Sequence, residues 1–331
     1  MNFLKKILRQ EQLNINESEA FIHAIANDEF SEVELGGILT AIQMRGLTLD
    51  EFKGFRNALE SYADRVSLYT NEAIDVCGTG GDGKDTFNIS TTTAFILSAM
   101  GYKVIKHGNY GVSSICGSSN VLEYLGFNFT KDEQVLNQQL EKQNICFIHA
   151  PLFHPVLKKV APVRKQLGVG TFFNAMGPLL NPIQPKFQLT GTYSLELAKI
   201  YQVLLRDKRQ SFKVVYALDR YDELTLTADA RVLGNNSDEI LNANSFGVEV
   251  TSPENLKGGS IEQSANMLRS ILGGHASEEL INVVASNTAL GMSCFHPEKQ
   301  YKILFEEAKA FISSGQAIKF HKQFNTVEAA I

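Results

Sequence analysis

The chain has 331 residues, of which 44% are hydrophobic, and a formal net charge of −5. This size allows one large core beside a smaller one, and the weak negative charge argues against general affinity for nucleic acids. The sequence shows no signal-peptide pattern and no apolar run long enough to span a bilayer. Its four cysteines have no paired spacing, which is typical of reduced thiols. We therefore expect a soluble, cytoplasmic protein that binds neither membranes nor nucleic acids.

The first 66 residues predict helices only. Two capping boxes, Ser31 with Glu34 and Thr48 with Glu51, come directly before apolar residues at helical spacing. Short helices with one apolar stripe each must bury that stripe, so residues 1–66 are expected to form a helical subdomain. The apolar surface that remains predicts a homodimer interface through this subdomain.

From about residue 73 the pattern changes to short β-rich runs that alternate with helical stretches, as in an α/β domain with a central, mostly parallel sheet flanked by helices. We place this domain at 73–331. After a strand that ends near Val76, the predicted strands are "YKVIKHG" (102–108), "NICFIHA" (144–150), "FQLTGTY" (187–193) and "FKVVYAL" (212–218). The breaker-rich "NAMGPLLNP" (174–182) predicts a hinge or a crossing between subdomains, and about 162–182 should contribute to the helical one.

A glycine-rich segment, "DVCGTGGDGKDTFNIST" (75–91), lies between the first predicted strand and a helix. Backbone N–H groups in such a turn and at a helix start favour an anion. Its match to the dinucleotide fingerprint is weak, because the next strand ends in Lys106-His107-Gly108 where an acidic residue is needed. The P-loop pattern fails as well. Glycines that serve only the turn remain the alternative.

Two further segments carry related chemistry. "KHGNYGVSSICGSS" (106–119) again places glycines and serines after a strand, so the two loops together predict a ligand with two phosphate groups. The adjacent carboxylates Asp222 and Glu223 follow the strand 212–218 and are of the kind that gathers Mg²⁺ with substrate phosphates. An acidic pair on a solvated loop is the alternative.

In this order, the motifs "GTGGDG…NIST", "KHGN…SS…GSS", "HAPLFHPVLKKVAPVRKQLG", "NAMGPLLNP" and the Asp222-Glu223 pair resemble the anthranilate phosphoribosyltransferase family of tryptophan biosynthesis. The resemblance covers essentially the whole chain and implies a nucleoside phosphorylase-like fold. It also implies transfer of a phosphoribosyl group from 5-phosphoribosyl 1-diphosphate to the amine of anthranilate, with release of pyrophosphate and with Mg²⁺ as cofactor.

The resemblance also implies site residues. The phosphoribosyl donor would be bound by Gly78, Gly81, Asp82, Thr86, Asn88, Ile89, Ser90, Thr91, Lys106, His107, Gly108, Asn109, Ser113, Ser114 and Ser118. Magnesium would be bound by Ser90, Asp222 and Glu223, and anthranilate by Gly78, Asn109 and Arg164. A guanidinium suits an aromatic carboxylate, because it pairs with it through two parallel hydrogen bonds. Without the resemblance, an exposed helix arginine is the simpler interpretation of residue 164.

Three positions depart from the family pattern, which usually has Arg at Tyr110, Asp at Asn120 and Gly at Arg220. Loss of one cation and one anion is either a compensated exchange or a weaker donor site, and Arg220 is a candidate to replace the missing positive charge. Of the histidines, His107 is expected to shape the anthranilate pocket. His149 and His154 are expected to be packed and hydrogen-bonded, and none of the three to bind a metal. We expect no covalent nucleophile, because an aromatic amine attacks as the neutral base.

Two alternative functions remain. A pyrimidine nucleoside phosphorylase shares this architecture and transfers ribosyl groups with inorganic phosphate. The other alternative is a nucleic-acid-binding relative that kept the fold and lost catalysis, although the acidic chain offers little basic surface for it.

Overall fold

The computed structural model describes residues 2–111 and 116–321. Its N-terminal part contains α1 (Phe3–Leu8), α2 (Ile15–Ala26), α3 (Glu32–Arg45) and α4 (Leu49–Ser61). Both predicted capping boxes are confirmed at the starts of α3 and α4, where the cap hydroxyl accepts the third backbone N–H and the glutamate returns to the cap. No helix in the described part of the chain combines the length and apolar character needed to cross a membrane.

The rest of the chain alternates strands and helices, as predicted. The strands are β1 (Ile74–Val76), β2 (Val104–Gly108), β3 (Ile145–His149), β4 (Phe187–Gly191), β5 (Ser211–Ala217), β6 (Ala230–Leu233) and β7 (Asp238–Leu241). The helices are α5 (Ile89–Ala99), α6 (Ser118–Tyr124), α7 (Glu133–Gln143), α8 (Ala150–Phe153), α9 (Pro155–Leu167), α10 (Phe172–Met176), α11 (Leu195–Arg206), α12 (Ala243–Phe246), α13 (Ile261–Leu272), α14 (Glu278–Phe295), α15 (Tyr301–Ser313) and α16 (Gln316–Phe320). Two 3₁₀ turns, Gly177–Leu179 and Pro253–Leu256, complete the set for the described residues.

Within the described residues, seven strands form one sheet in the order β3-β2-β1-β4-β5-β6-β7. The first five in that order are parallel, and β6 and β7 add an antiparallel hairpin at one edge. The chain leaves β1 toward β2 on one side and returns through β4 on the other, so a topological switch point lies beside β1. Ligands of parallel sheets bind outside the carboxyl ends of the strands at such a point.

Buried side chains form two main cores. One packs α5, α13, α14 and α15 against the sheet. The other joins α1–α4 to side chains of α9, α10 and α11 and to Phe212 and Val214 of β5. The N-terminal helices therefore depend on later segments of the chain for their packing.

The breaker-rich segment 174–182 contributes Met176, Leu179 and Leu180 to the second core and is tied to the sheet by hydrogen bonds. Asn181 Nδ2 donates to Asp75 Oδ2 and to the carbonyl of Ile105, each at 2.9 Å. Gln188 Nε2 donates to the carbonyl of Pro178 at 2.8 Å. The segment was predicted to be either a hinge or a crossing between subdomains, and these contacts fit a crossing.

Candidate active site

A single cavity outside the carboxyl ends of β1, β2 and β5 brings together most of the predicted site residues. Those that line it are Gly78, Gly81, Asp82, Thr86, Asn88, Ile89, Ser90, Lys106, His107, Gly108, Asn109, Ser118, Arg164, Asp222 and Glu223. They come from segments far apart in sequence, and the parallel sheet gathers them because its strand ends meet at one edge.

Three predicted donor-binding residues are not among the described residues that line the cavity. The side chain of Thr91 is fully buried in α5 and does not line the cavity, because neighbouring residues of a helix point in different directions and here Ser90 faces the cavity instead. Ser113 and Ser114 lie outside the described residues. For Thr91, only its backbone is left to contact a ligand.

The glycine loop, residues 78–88, approaches Asp222 too closely to carry side chains throughout. A Cβ on Gly78 would lie 2.7 Å from Asp222 Oδ2, and the backbone N–H of Gly80 donates to that same oxygen at 2.7 Å. Gly80 and Gly81 have φ values of 63° and 81°, which glycine adopts without strain. At its far end the loop is anchored by the N–H of Phe87, which donates to the carbonyl of Leu256 at 2.8 Å.

Asp82, Asp222 and Glu223 form a group of carboxylates at the cavity. Burial, followed by the neighbouring charge of Asp82, raises the pKa of Asp222 to about 7. Burial and the charge of Asp222 also raise the pKa of Glu223 well above its ordinary range. Asp82 Oδ2 is buried and accepts no hydrogen bond. The acidic pair is therefore not a solvated surface feature, and the arrangement is one that a cation would stabilise.

Lys106 lies beneath this group and is almost fully buried. Its ammonium donates to the carbonyl of Val76 and lies 3.5 Å from Ser90 Oγ. Burial raises the pKa values of the nearby Asp75 and of Glu223, and the charge of Lys106 offsets part of that rise. Lys106 thus contributes positive charge to the floor of the cavity from a fixed position.

The wall formed by α9 and α10 carries Arg164. Its Nη2 donates to Asn174 Oδ1 at 3.0 Å, and its guanidinium lies 5.8 Å from the centre of the Phe173 ring. Arg164 Nε is buried without a hydrogen-bond partner, and burial lowers the pKa of the side chain. The alternative of an exposed helix arginine is therefore wrong, because the residue is partly buried and lines the cavity with a donor to spare.

Three histidines lie near this wall. His107 Nδ1 donates to the carbonyl of Gly177 at 3.0 Å, which leaves its Nε2 as an acceptor that is buried without a partner. His149 Nδ1 pairs with Ser119 Oγ at 2.9 Å, as expected. His154 packs edge-on against His107, with ring centres 5.4 Å apart. His154 is packed as predicted; a hydrogen bond with the Leu180 backbone partly offsets the lowering of its pKa by burial, although neither ring nitrogen makes a hydrogen bond of ordinary geometry.

We expect the fold to lose stability as the pH falls below about 6.5, because His107 and His154 fold as neutral rings. Burial lowers their pKa values to about 3 and about 4, and for His107 the neighbouring His154, Lys106 and His149 add to the effect. The unfolded chain, with ordinary pKa values near 6.5, then binds protons that the folded chain does not. Between pH 7 and pH 5 this costs about 2 kcal/mol of unfolding free energy per histidine.

Urea unfolding at the two pH values measures this loss. In His107→Gln the loss should be smaller by about 2 kcal/mol, whereas His275→Gln, at an exposed position, should behave like the parent chain. Equal pH dependence in the parent and in His107→Gln would contradict the assignment of a neutral buried ring.

The three departures from the family pattern are placed as follows. Tyr110 and Asn120 belong to the second loop and its helix, where the Tyr110 hydroxyl donates to Glu123 Oε1 at 2.6 Å. Arg220 is exposed, does not line the cavity and has a φ of 72°. It is therefore not placed to replace a missing positive charge, and its left-handed backbone is one that glycine adopts at lower cost.

Some cavity residues were not predicted. The cavity is also lined by Phe173, Asn174 and Pro178. The only sequence feature that could have indicated them is the breaker-rich segment 174–182. Cys77 and Cys116 line the cavity too, and burial raises the pKa of both thiols, for Cys77 to about 12. Neither is thus a thiolate nucleophile.

Comparison with known proteins agrees with the resemblance of the motifs. Residues 1–63 match the helical bundle domain of a glycosyl transferase family, and residues 70–318 match the α/β domain of that family. The anthranilate phosphoribosyltransferase of Christiangramia forsetii is 43% identical over 321 residues, which cover 97% of each chain. This chain belongs to the anthranilate phosphoribosyltransferase family.

Other members of the anthranilate phosphoribosyltransferase family are also similar over almost the whole chain. The Flavobacterium psychrophilum enzyme is 41% identical over 97% of this chain and 98% of its own. The crystal structure of the Thermus thermophilus enzyme superposes with a TM-score of 0.88 at 30% identity, and covers 99% of this chain and all of that one. The structure of a Saccharomyces cerevisiae enzyme in complex with PRPP and Mg superposes with a TM-score of 0.87 over 99% of this chain and 97% of its own. At 24% identity, this similarity supports the fold alone.

Proposed function

We propose that this chain transfers the phosphoribosyl group of 5-phosphoribosyl 1-diphosphate to the amine of anthranilate. The observation that carries the proposal is the single cavity in which the glycine loop, the second loop, two buried carboxylates and Arg164 meet. The two loops follow β1 and β2, which are paired neighbours in the sheet. One sugar with phosphate groups at both ends therefore suits the site better than a ligand with a single anion.

In this reaction the amine nitrogen forms a bond to the anomeric carbon of the ribose as the bond to pyrophosphate breaks, and the nitrogen then loses a proton to water. Backbone N–H groups of the glycine loop act as fixed dipoles toward the departing phosphates, and Lys106 adds its charge from the cavity floor. Catalysis of this kind depends on position and on charge that is already oriented. It requires no covalent attack by the protein.

Asp222, Glu223 and Ser90 are the residues that we propose for binding Mg²⁺. The raised pKa values of the two carboxylates and the unpartnered Asp82 oxygen fit a cation at this point. Since no three His, Cys, Asp or Glu side chains of the described residues form a complete metal site, water and substrate would supply the remaining ligands. When bound, the ion would neutralise charge on the diphosphate.

At the acceptor end, Arg164 is proposed to pair with the anthranilate carboxylate through its spare donors, beside Asn109 and Gly78. The neutral His107 presents Nε2 as an acceptor, which suits the hydrogen of an amine. Phe173 lies against Arg164 and offers an apolar surface for the aromatic ring.

The direct test follows the disappearance of anthranilate fluorescence with the diphosphate donor, with and without Mg²⁺. Turnover of anthranilate that requires Mg²⁺ supports the proposal. Turnover of thymidine with inorganic phosphate would instead identify a pyrimidine nucleoside phosphorylase, and salt-dependent DNA binding without either turnover would identify a nucleic-acid-binding relative.

We also propose that two copies of the chain associate through the helical subdomain, which we place at residues 1–66 with a contribution from 162–182, next to an α/β domain at 73–331. Val33 and Met44 on α3 are each 86% exposed, and Leu8 on α1 is 64% exposed. Gly37 on α3 lies against Leu4 of α1, whose Cδ1 would be at an ordinary van der Waals distance of 3.5 Å from a Cβ at that position. These exposed apolar side chains form the contact surface that we propose between the two copies. We also propose that the protein is located in the cytoplasm.

Sedimentation equilibrium should give twice the mass of one chain, and Val33→Lys combined with Met44→Lys should give the mass of a single chain, because two charges would be buried without partners. Leu218→Lys, which changes an exposed apolar residue far along the chain, should leave the mass unchanged. A parent chain that sediments as a monomer would rule out this interface.

A further inference from the structure

We propose that Asn120, supported by Tyr110, is a positioning residue that holds the two ends of the second loop together so that Asn109 and Ser118 face the donor. This inference deepens the proposed function and rests on it. It concerns the segments 109–111 and 116–120, which the structure describes on either side of the second loop.

Asn120 joins these two segments through one atom. Its Oδ1 accepts the backbone N–H of Gly111 and the backbone N–H of Gly117, each at 3.1 Å. Asn120 is the third residue of α6 and Gly117 its cap, so one of the two bonds is the backward half of a capping box. The other bond, from the N–H of Gly111, ties the opposite end of the loop to the same oxygen.

The bonds around Asn120 fix residues that line the cavity. The carbonyl of Asn109 accepts the N–H of Ser119 and the hydroxyl of Ser118, each at 3.3 Å. A Cβ on Gly117 would overlap the backbone of Gly111, so the two segments are in direct contact. Asn120 therefore fixes where Asn109 and Ser118 lie relative to each other. It does so from outside the cavity, which it does not line.

Tyr110 supports the same arrangement from its other side. Its hydroxyl donates to Glu123 Oε1 on α6 at 2.6 Å, and its ring packs edge-on against His149 with centres 4.8 Å apart. His149 in turn stacks on Phe129 at 4.3 Å and is held by Ser119. Residue 110 is thereby tied to α6 and β3 at once.

The chemistry of residue 120 explains why an amide suffices. Two N–H donors require an acceptor with two lone pairs, which the amide oxygen of Asn provides without adding negative charge near bound phosphates. An aspartate, which the family usually has at this position, would accept both bonds as well, and its charge would cost little donor affinity because residue 120 lies outside the cavity. Alanine offers no acceptor, and both N–H groups would then lose their partner.

The test compares Asn120→Ala and Asn120→Asp by calorimetric binding of 5-phosphoribosyl 1-diphosphate with Mg²⁺ and by steady-state kinetics. Asn120→Ala should weaken donor binding about tenfold or more, since both backbone N–H groups lose their acceptor and the two ends of the loop are no longer joined. The KM for anthranilate should rise by a smaller factor than donor affinity falls, because Arg164 is untouched and Asn109 is the only proposed anthranilate contact that Asn120 positions. Asn120→Asp should recover donor binding to within about threefold of the parent chain. Tyr110→Phe, which removes only the hydroxyl, should give a smaller loss in the same direction.

Asn137→Ala is the matched control. Asn137 braces a different loop, as its Oδ1 accepts the N–H of Tyr69 at 2.8 Å and its Nδ2 donates to the carbonyl of Ser67 at 3.0 Å, and it lies outside the cavity. It should lower thermal stability without changing donor affinity. If Asn120→Ala only lowers stability, or if Asn120→Asp does not recover donor affinity, the positioning role is wrong. A parent chain that binds the donor but does not consume anthranilate would overturn the proposed function instead. In that case the donor affinities of the residue 120 variants would still decide whether Asn120 is a positioning residue.

Discussion

Replacing Asp222 with Asn and Glu223 with Gln together is expected to raise the Mg²⁺ concentration for half-maximal activity more than about tenfold and to cut turnover about 100-fold or more. Groups that merely support metal ligands are worth roughly 10- to 100-fold, so loss of both proposed ligands should reach at least the upper end of that range. Titration of activity with Mg²⁺ at saturating donor measures both effects.

The same double variant should keep or raise its thermal stability without Mg²⁺, and this opposite sign makes the prediction specific. The pKa values of both carboxyls are raised in the folded chain, first by burial and then by neighbouring carboxylates. At neutral pH their ionisation therefore disfavours folding, and neutral side chains of the same shape remove that cost. The amide oxygen of Asn can still accept the N–H of Gly80.

Asp219→Asn provides the control on the same loop. Asp219 Oδ2 accepts the hydroxyl of Thr227 at 2.5 Å and the residue lies outside the cavity, so its replacement should leave the Mg²⁺ requirement unchanged. Unchanged Mg²⁺ dependence in the double variant would remove the metal assignment, and collapse of its fold would contradict the stability argument.

Much of the site could be predicted because its residues follow strand ends that the sequence marks clearly. The strands that end at Val76, Gly108 and Ala217 are short apolar runs bounded by glycine or charged residues, and parallel pairing then brings the loops after them to one edge. The β6–β7 hairpin was not predicted. Its second strand is largely exposed and carries Asp238 and Glu239, so it lacks the buried run that indicates a strand.

Other features depend on orientation and close approach, which composition does not encode. Ser90 and Thr91 are neighbours with the same hydroxyl chemistry, and only the start of α5 decides that Ser90 faces the cavity. The half-buried position of Arg164 depends on α10, which lies beyond the end of its own helix. Arg220 carries a charge that suggests a ligand contact, yet its backbone turns the side chain into solvent.

Arg164→Ala should raise the KM for anthranilate at least about 30-fold while the KM for the diphosphate donor changes less than about twofold. Removing one partner of a buried, hydrogen-bonded charge pair costs roughly 2–5 kcal/mol, and 1.4 kcal/mol corresponds to a factor of ten. Arg164→Lys should recover only part of the loss, because an ammonium cannot form two parallel bonds to a carboxylate while also bonding Asn174.

Lys165→Ala is the control for this prediction, since it removes a positive charge from the next residue of α9, which is exposed. If general electrostatic attraction brought anthranilate to the cavity, both variants would raise its KM and added salt would reduce the difference from the parent chain. A direct pair predicts an effect confined to Arg164 and only weakly sensitive to salt, because the guanidinium is largely buried. Equal loss of affinity for both substrates in Arg164→Ala would mean that the arginine supports the cavity wall through Asn174 and does not contact the acceptor.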